Sequence, residues 1–388
     1  MSISIPGDSI LNITQTAINV FLQSKRDDGL IQGLTYWQVA NGYTAIALHD
    51  TWTNMTTHAD TLDELIGKVA TTQLDCINDM NDDSMWWAIC AFDMFDLTHQ
   101  PKYLDMSKAI WEHISHYVIP VGKYHINNFD MEGGVMWSNR TAETQVNAIT
   151  TALYAELSAR LSRLSIQTGE RKSHRMYLSP AMTSFSWILR ALFDQQEYVV
   201  SDHIDLQSHQ IYNWTFSYTT GQAIAASLAI YNACQDLVHP QSHPAPCESY
   251  LNLASKMATS AMTRDTWVDE ASTLTEAEAY PGVGGRRKQA YENDDAVGFK
   301  AILLRSLAKL YRVLRLLRRR DGLAGDINTD MQNRLRAFIH HQYRSLRDND
   351  TNGKGQYGPW WAGPWDLPTS HSQLAALDVM AAIHACEE

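Results

Sequence analysis

The residues Asn81-Asp82-Asp83-Ser84-Met85-Trp86-Trp87 set two carboxylic acids side by side at the head of an apolar run. Cleaving a glycosidic bond with retention needs two carboxyls about 5–5.5 Å apart, one attacking and one giving a proton. Successive residues deep in a helix point about 100° apart, but in its first turn both can lean into one cleft. Mutual repulsion, with Trp86 and Trp87 reducing solvation, would hold a proton on one acid while the other stays ionised. The plainer reading is also open. Asp, Asn and Ser cap helix starts, and negative charge suits a helix N-terminus.

Flat aromatic faces around such a pair would suit sugar rings, and Trp86 and Trp87 are expected among the substrate-binding residues. Tyr36 and Trp37 are either a stacking pair or core at the start of a helix. Trp137 follows the turn Gly133-Gly134, which favours the cleft over the core. Tyr218 and Gly221 are expected to shape the floor, the glycine letting backbone approach a ligand. Asp294 and Asp295 could bind a sugar hydroxyl or cap a helix. Trp360, Trp361 and Trp365, in Gly-Pro-Trp-Trp-Ala-Gly-Pro-Trp, would mix core anchors with cleft wall. No metal or cofactor site is expected. His239 and His243 are interrupted by Pro240 and Pro244, His113 and His116 lack a third ligand, and His340-His341 reads as surface.

The elements that must position these groups read as helix after helix, with no convincing strand. Candidate helices span roughly 9–25, 36–51, 59–78, 83–98, 102–116, 141–165, 175–193, 217–237, 248–263, 291–318, 328–346 and 370–386. Ala148 to Leu161 is the clearest amphipathic stretch. Breakers such as Gly133-Gly134, Pro240 to Pro246 and Pro281-Gly282 fall between them. Twelve helices without a linker are expected to form one domain, 1–388. Six hairpins closed into a double ring, an (α/α)6 barrel, and an open solenoid both fit that count, and the lack of a strict repeat weakens the solenoid. The longest loops would gather at one end as a cleft.

A formal net charge of -12 disfavours nucleic acid and anionic membranes as partners. No apolar window is long enough to span a bilayer. The first residues do not read as a signal peptide. The sequons at Asn12, Asn54, Asn139, Asn213 and Asn349 nevertheless favour a secreted or cell-wall-associated protein whose signal is absent from this sequence, with a cytoplasmic one left open. Five cysteines leave at least one unpaired, and Cys234 and Cys247 could close a short disulfide loop.

Several segments together resemble glycoside hydrolase family 76, the endo-α-1,6-mannanases and their fungal cell-wall transglycosidase relatives. Asp82-Asp83-Ser-Met-Trp86-Trp87-Ala, then Phe-Asp-Leu-Thr and Lys102-Tyr103-Leu104, is similar to the family's Asp-Asp segment. Gly133-Gly134-Val-Met-Trp137 resembles its Gly-Gly-x-x-Trp loop, and Asn147 to Tyr154 the helix that follows. Trp214-Thr-Phe-Ser217-Tyr218-Thr219-Thr-Gly221 is similar to its Thr-Tyr-Asn-x-Gly element, with Ser217 for Thr and Thr219 for Asn. Asp295, Phe299-Lys300 and Tyr357 to Trp365 resemble its closing motifs. The order holds over roughly residues 33 to 386. The resemblance implies an (α/α)6 barrel and an α-mannan-like oligosaccharide or polysaccharide substrate. It also implies a retaining mechanism, with Asp82 as nucleophile and Asp83 as general acid/base. Two rivals remain: a terpene-type cyclase, though the third carboxylate of an Asp-Asp-x-x-Asp motif is missing, and a non-catalytic sugar-binding protein.

Overall fold

A computed structural model gives the fold, and it describes residues 9–235, 245–280, 289–321 and 326–387. The long helices in order are α1 (Ile10–Leu22), α2 (Tyr36–Trp52), α3 (Ala59–Thr72), α4 (Asn81–Thr98), α5 (Pro101–Ser115), α6 (Ala148–Gln167), α7 (Arg171–Ala191), α8 (Ser217–Gln235) and α9 (Ala245–Ala261). A single turn, α10 (Asp294–Val297), precedes α11 (Phe299–Asp321), α12 (Asp326–Asn349) and α13 (Ser370–Glu387). Helices α2, α4, α6, α8, α11 and α13 pack each against the next, and α13 returns to α2, closing an inner ring. Helices α1, α3, α5, α7, α9 and α12 lie outside them. The expected all-α double ring is the one observed.

Sequence explains which helix goes where. Outer helices such as α3 bury one stripe, here Leu62, Leu65, Ile66 and Val69. Inner helices are buried all round: α2 from Gln38 to Asp50, and α13 from His371 to Cys386. Their small Ala, Ser and Thr residues let neighbours approach on every side. Gly221 is the clearest case, since a Cβ there would lie 2.7 Å from the Leu303 Cα of α11. The expected amphipathic stretch in α6 is likewise buried on every side from Ala148 to Ala159. Its hydroxyl side is an inner-ring contact and not a solvent face.

Local chemistry sets the helix starts that matter. Thr35 and Gln38 form a reciprocal capping box at α2, Pro101 opens α5, and Asn147 accepts the Thr150 N–H at α6. Three boundaries differ from expectation. Helix 59–78 stops at Thr72, helix 141–165 begins at Ala148, and helix 291–318 is broken at Gly298. Short strands were also unforeseen: β1 (His125–Ile126) with β2 (Phe129–Asp130), β4 (Phe193–Asp194) with β5 (Val199–Val200), and β3 (Gln145–Asn147) beside β6 (His203–Asp205) and β7 (Ile211–Tyr212). At two or three residues each, they carry no alternating signal.

The connections entering the inner helices are long: 23–35, 73–80, 116–147, 192–216, 262–298 and 350–369. Those leaving them are short, as at 53–58 and 99–100. The long loops and the six inner N-termini therefore share one end of the ring. All five cysteines are buried free thiols, so Cys234 and Cys247, which meet at the ends of α8 and α9, are not bridged here.

Candidate active site

The head of α4 is tied down before it presents any acid. Asn78 and Ser84 hydrogen-bond each other, the Asn78 N–H donating to Ser84 Oγ at 3.0 Å. Buried Asn81 donates its backbone N–H to Trp137 O and its side-chain amide to Met136 O, both at 2.8 Å. The segment carrying Trp137 is seated by Gly133, at φ 90°, where a Cβ would strike Thr183 O at 2.7 Å.

Asp82 and Asp83 occupy the first turn of α4, half-buried, in the positive end of its dipole. The Trp137 indole N–H donates to Asp82 Oδ2 at 3.0 Å, and the Asn78 amide donates to Asp83 Oδ2 at 2.9 Å. Among the described residues no Lys or Arg forms an ion pair with either. Burial, and for Asp82 also the neighbouring Asp83 charge, pushes its carboxyl well above the ordinary range. Burial, opposed by Asn78 and assisted by Asp295, raises Asp83 as well. Such a coupled pair retains one proton near neutrality.

Other expected residues gather here. Half-buried Tyr36 and Trp37 lie over Trp87 and Trp86, with ring centroids 5.2 and 6.2 Å apart. The Asp83 charge contributes to holding the Tyr36 phenol neutral, after burial and Cys76. Tyr218 stacks on Phe299 at 4.2 Å. Its hydroxyl is raised by burial and then by the charges of Asp202, Asp82 and Asp295, which puts all three acids around it. Asp295 stands exposed at the rim and accepts from the Gln38 amide at 2.8 Å. Half-buried Trp360 meets Tyr280 edge-on at 5.1 Å, in a cluster with Phe216 and Phe299.

Four expectations need correction. Trp86 and Trp87 are 3 % and 0 % exposed and Trp361 is 1 % exposed, so they are packing behind the cleft and present no face to a ligand. Gly221 serves the α8–α11 contact and does not serve a ligand, because the space a side chain would need is filled by Leu303 backbone. His340 and His341 are only half-exposed, and His341 hydrogen-bonds Thr273 at 3.0 Å.

Sequence reasoning missed Gln38, Asn78, Asp202 and buried His371, whose ring lies near enough to oppose the rise of the Asp295 carboxyl. A usable signal existed for Gln38 and His371, in the polar first turns of α2 and α13, and none for Asn78 and Asp202, which lie outside the helices. The pair His239 and His243 lies outside the described residues. Where metal chemistry is concerned, the grouping found among the described residues is another one: His49, Asp50 and His58, with ligand atoms within 4.8 Å of one another. It sits at the opposite end of the ring, and its His58 ring already bonds Asp50 at 2.8 Å and Gln15 at 2.7 Å.

The model of glycosyl hydrolase family 76 matches residues 11–387. The chain belongs to glycosyl hydrolase family 76. Among solved structures, this family 76 chain is similar to an α-1,6-mannanase of Salegentibacter sp. That protein was captured with α-1,6-mannotetrose as an inactive variant carrying alanine at two neighbouring aspartates. The TM-score is 0.76 and the identity 18%, over 98% of this chain and 100% of that one. It is also similar to Dfg5 of Chaetomium thermophilum in complex with glucosamine, with TM-score 0.73 and 14% identity over 98% of this chain and 91% of that one. A family 76 mannosidase of Bacteroides thetaiotaomicron gives TM-score 0.68 and 14% identity over 97% and 98%. No curated protein matches the chain. At these identities the neighbours establish the (α/α)6 fold, and the family assignment makes the chain a glycoside hydrolase.

Proposed function

We propose that the chain cleaves α-1,6-linked mannose chains with retention, through a glycosyl-aspartate on Asp82, and can pass that sugar to a second sugar in place of water. The observation that carries the reading is the Asp82–Asp83 pair, recessed at one helix mouth, raised by burial and without a described cation. Supporting it, the neighbouring structures include an α-1,6-mannanase holding α-1,6-mannotetrose and a Dfg5 protein holding glucosamine. Family membership also removes the ground for a terpene-type cyclase.

Asp83 protonates the leaving oxygen while Asp82 attacks the anomeric carbon. The C–O bond breaks and an ester forms. Deprotonated Asp83 then takes the proton of water, or of an acceptor hydroxyl, as that oxygen displaces Asp82. Burial raises both carboxyls, so the pair holds a proton to give. Positive charge growing on the sugar beside Asp82 favours its ionised form and moves the proton to Asp83. The Trp137 N–H, aimed at Asp82 Oδ2, assists in the same sense.

The deciding experiment is incubation with α-1,6-linked manno-oligosaccharides, reading product masses and the first-formed anomer. Retention of the α configuration is expected. A β product would rule out the double displacement, and no product at all would remove the substrate assignment.

The reading includes secretion to a fungal cell wall. Asn12, Asn54, Asn213 and Asn349 are exposed and Asn139 is half-buried, which leaves the sequons open to modification. Endoglycosidase treatment of the protein from its native source should lower its mass, and an unchanged mass would count against secretion.

A further inference from the structure

The aromatic lining does not end at Tyr218. Beyond Tyr218 and Phe299 comes Phe216, 5.4 Å from Phe299, and then Trp214, 6.4 Å from Phe216. Trp214 is bracketed by Tyr212 at 5.7 Å and His203 at 6.2 Å, which stack on each other at 4.2 Å. At 55 % exposure it is a large flat ring left in water, packed on an aromatic backing.

That backing is continuous with the catalytic pair. Trp137, which bonds Asp82, donates its backbone N–H to Gln145 O of β3 at 2.9 Å. Strand β3 pairs with β6, and β6 with β7, which carries Tyr212. Asp202, whose charge reaches the Tyr218 hydroxyl, also bonds the His203 ring at 2.7 Å.

Trp214 opens onto a cavity of about 710 Å³, walled also by Asn293, Arg264, Asp194 and Glu197. Buried Arg264 Nε has no acceptor among the described residues. Its guanidinium reaches Glu197 and Thr215, both at 3.4 Å. A hexopyranose has an apolar C–H face and a girdle of hydroxyls. It therefore needs a flat ring beside amides and charges of both signs. The two carboxylates would repel a phosphorylated or otherwise anionic ligand.

We propose that Trp214 and this cavity form a remote subsite for neutral hexose units of the same mannan chain whose cleavage occurs at Asp82 and Asp83. The inference rests on the mannan-cleaving reading above. An extended chain would run from Tyr218 past Phe216, with Trp214 stacking a distal ring and Arg264 and Asn293 reaching its hydroxyls.

The test compares wild type with Trp214→Ala and Trp214→Tyr on α-1,6-linked mannose oligomers of increasing length, using protein made without N-glycans because sequon Asn213 borders the ring. Wild type should gain kcat/KM with length. Trp214→Ala should lose that gain, about tenfold on the longest oligomers, through KM and with kcat unchanged. Short oligomers should be unaffected, and Trp214→Tyr should recover most of the loss. An equal loss at all lengths, or no loss at any, overturns the subsite while leaving the catalytic reading standing. A wild type inactive on every length overturns the catalytic reading itself, and the subsite falls with it.

Discussion

The two ends of the inner ring both bury carboxylates, and they give them different partners. Away from the long loops, Arg160 reaches buried Asp93 at 2.6 Å and exposed Asp96 at 2.9 Å, and Lys309 reaches buried Glu156 at 2.8 Å. Deeper in the ring, Arg305 holds Asp378 with two bonds of 2.7 and 2.8 Å and also reaches Asn41, although burial still outweighs the arginine and raises Asp378. Burial alone would raise Glu156, but Lys309 and Arg160 bring it below its ordinary value. At the loop end Asp82 and Asp83 have amide and indole donors but no described cation, and burial raises them. A carboxylate beside a cation is a strut, and one beside its twin with only neutral donors can hold a proton to give. The same residue type becomes structure or chemistry according to the charge supplied beside it.

The largest effect should come from removing an acid at the loop end. Asp82→Asn or Asp83→Asn should lower kcat at least about 10³-fold while leaving the melting temperature unchanged or higher, since a buried like charge is removed. Product assays beside circular-dichroism melts would show this. Near-normal turnover in either variant would sink the assignment. The opposite pattern is expected from Arg305→Met. Leaving Asp378 buried without its partner should cost about 3–5 kcal/mol of stability, read by urea unfolding, with kcat per folded molecule preserved. Replacing both partners, Arg305→Met with Asp378→Leu, should recover most of that loss.

Acid should also act on the catalytic pair and on Glu156 in opposite senses. The catalytic pair is raised in the folded state. The stability its protonation contributes is present below the ordinary carboxylate range, near pH 4, and is lost as pH rises through the folded values. Glu156 is lowered, so its contribution is present above about pH 4.3 and is lost as pH falls through its folded value. Urea melts across pH should therefore flatten on the neutral side in Asp82→Asn and on the acid side in Glu156→Gln. If both variants change the same limb, the contrast between the ends is wrong.

What was legible in the sequence follows the same division. Helix periodicity and turn residues located nearly every long helix, and the Asp doublet was visible because two acids heading an apolar run are conspicuous. Which tryptophan lines the cleft was not legible. Trp86 and Trp87 stand next to the acids in sequence but are buried behind them, while Trp137 and Tyr218 arrive from other hairpins. Inner helices hide their role for a related reason. Buried on all sides, α2 shows no simple apolar stripe, and in α6 the small hydroxyl residues imitate a wet face and make an all-round buried helix read as amphipathic. Gly221 looked like a ligand contact because a glycine near an aromatic has two uses, close approach to a ligand or to another helix, and only packing decides between them. Gly221→Ala should cost about 1–3 kcal/mol through crowding against Leu303 with KM unchanged. A raised KM at unchanged stability would restore the ligand reading.

The smallest effect expected is the most specific to the catalytic end. Trp137→Phe keeps a ring in place and deletes one donor, the indole N–H to Asp82 Oδ2. That bond favours the ionised carboxylate, so its loss should raise the already elevated Asp82 further. A bond to a charged group is worth about 1.5–3 kcal/mol, equivalent to a shift of about one to two pH units. The acid limb of the kcat/KM profile should move upward by that amount, while kcat on the plateau and the melting temperature change little. A uniform fall in activity at every pH, with the limbs unmoved, would make Trp137 a sugar platform alone. The hydrogen bond would then have no part in deciding which of the two acids holds the proton.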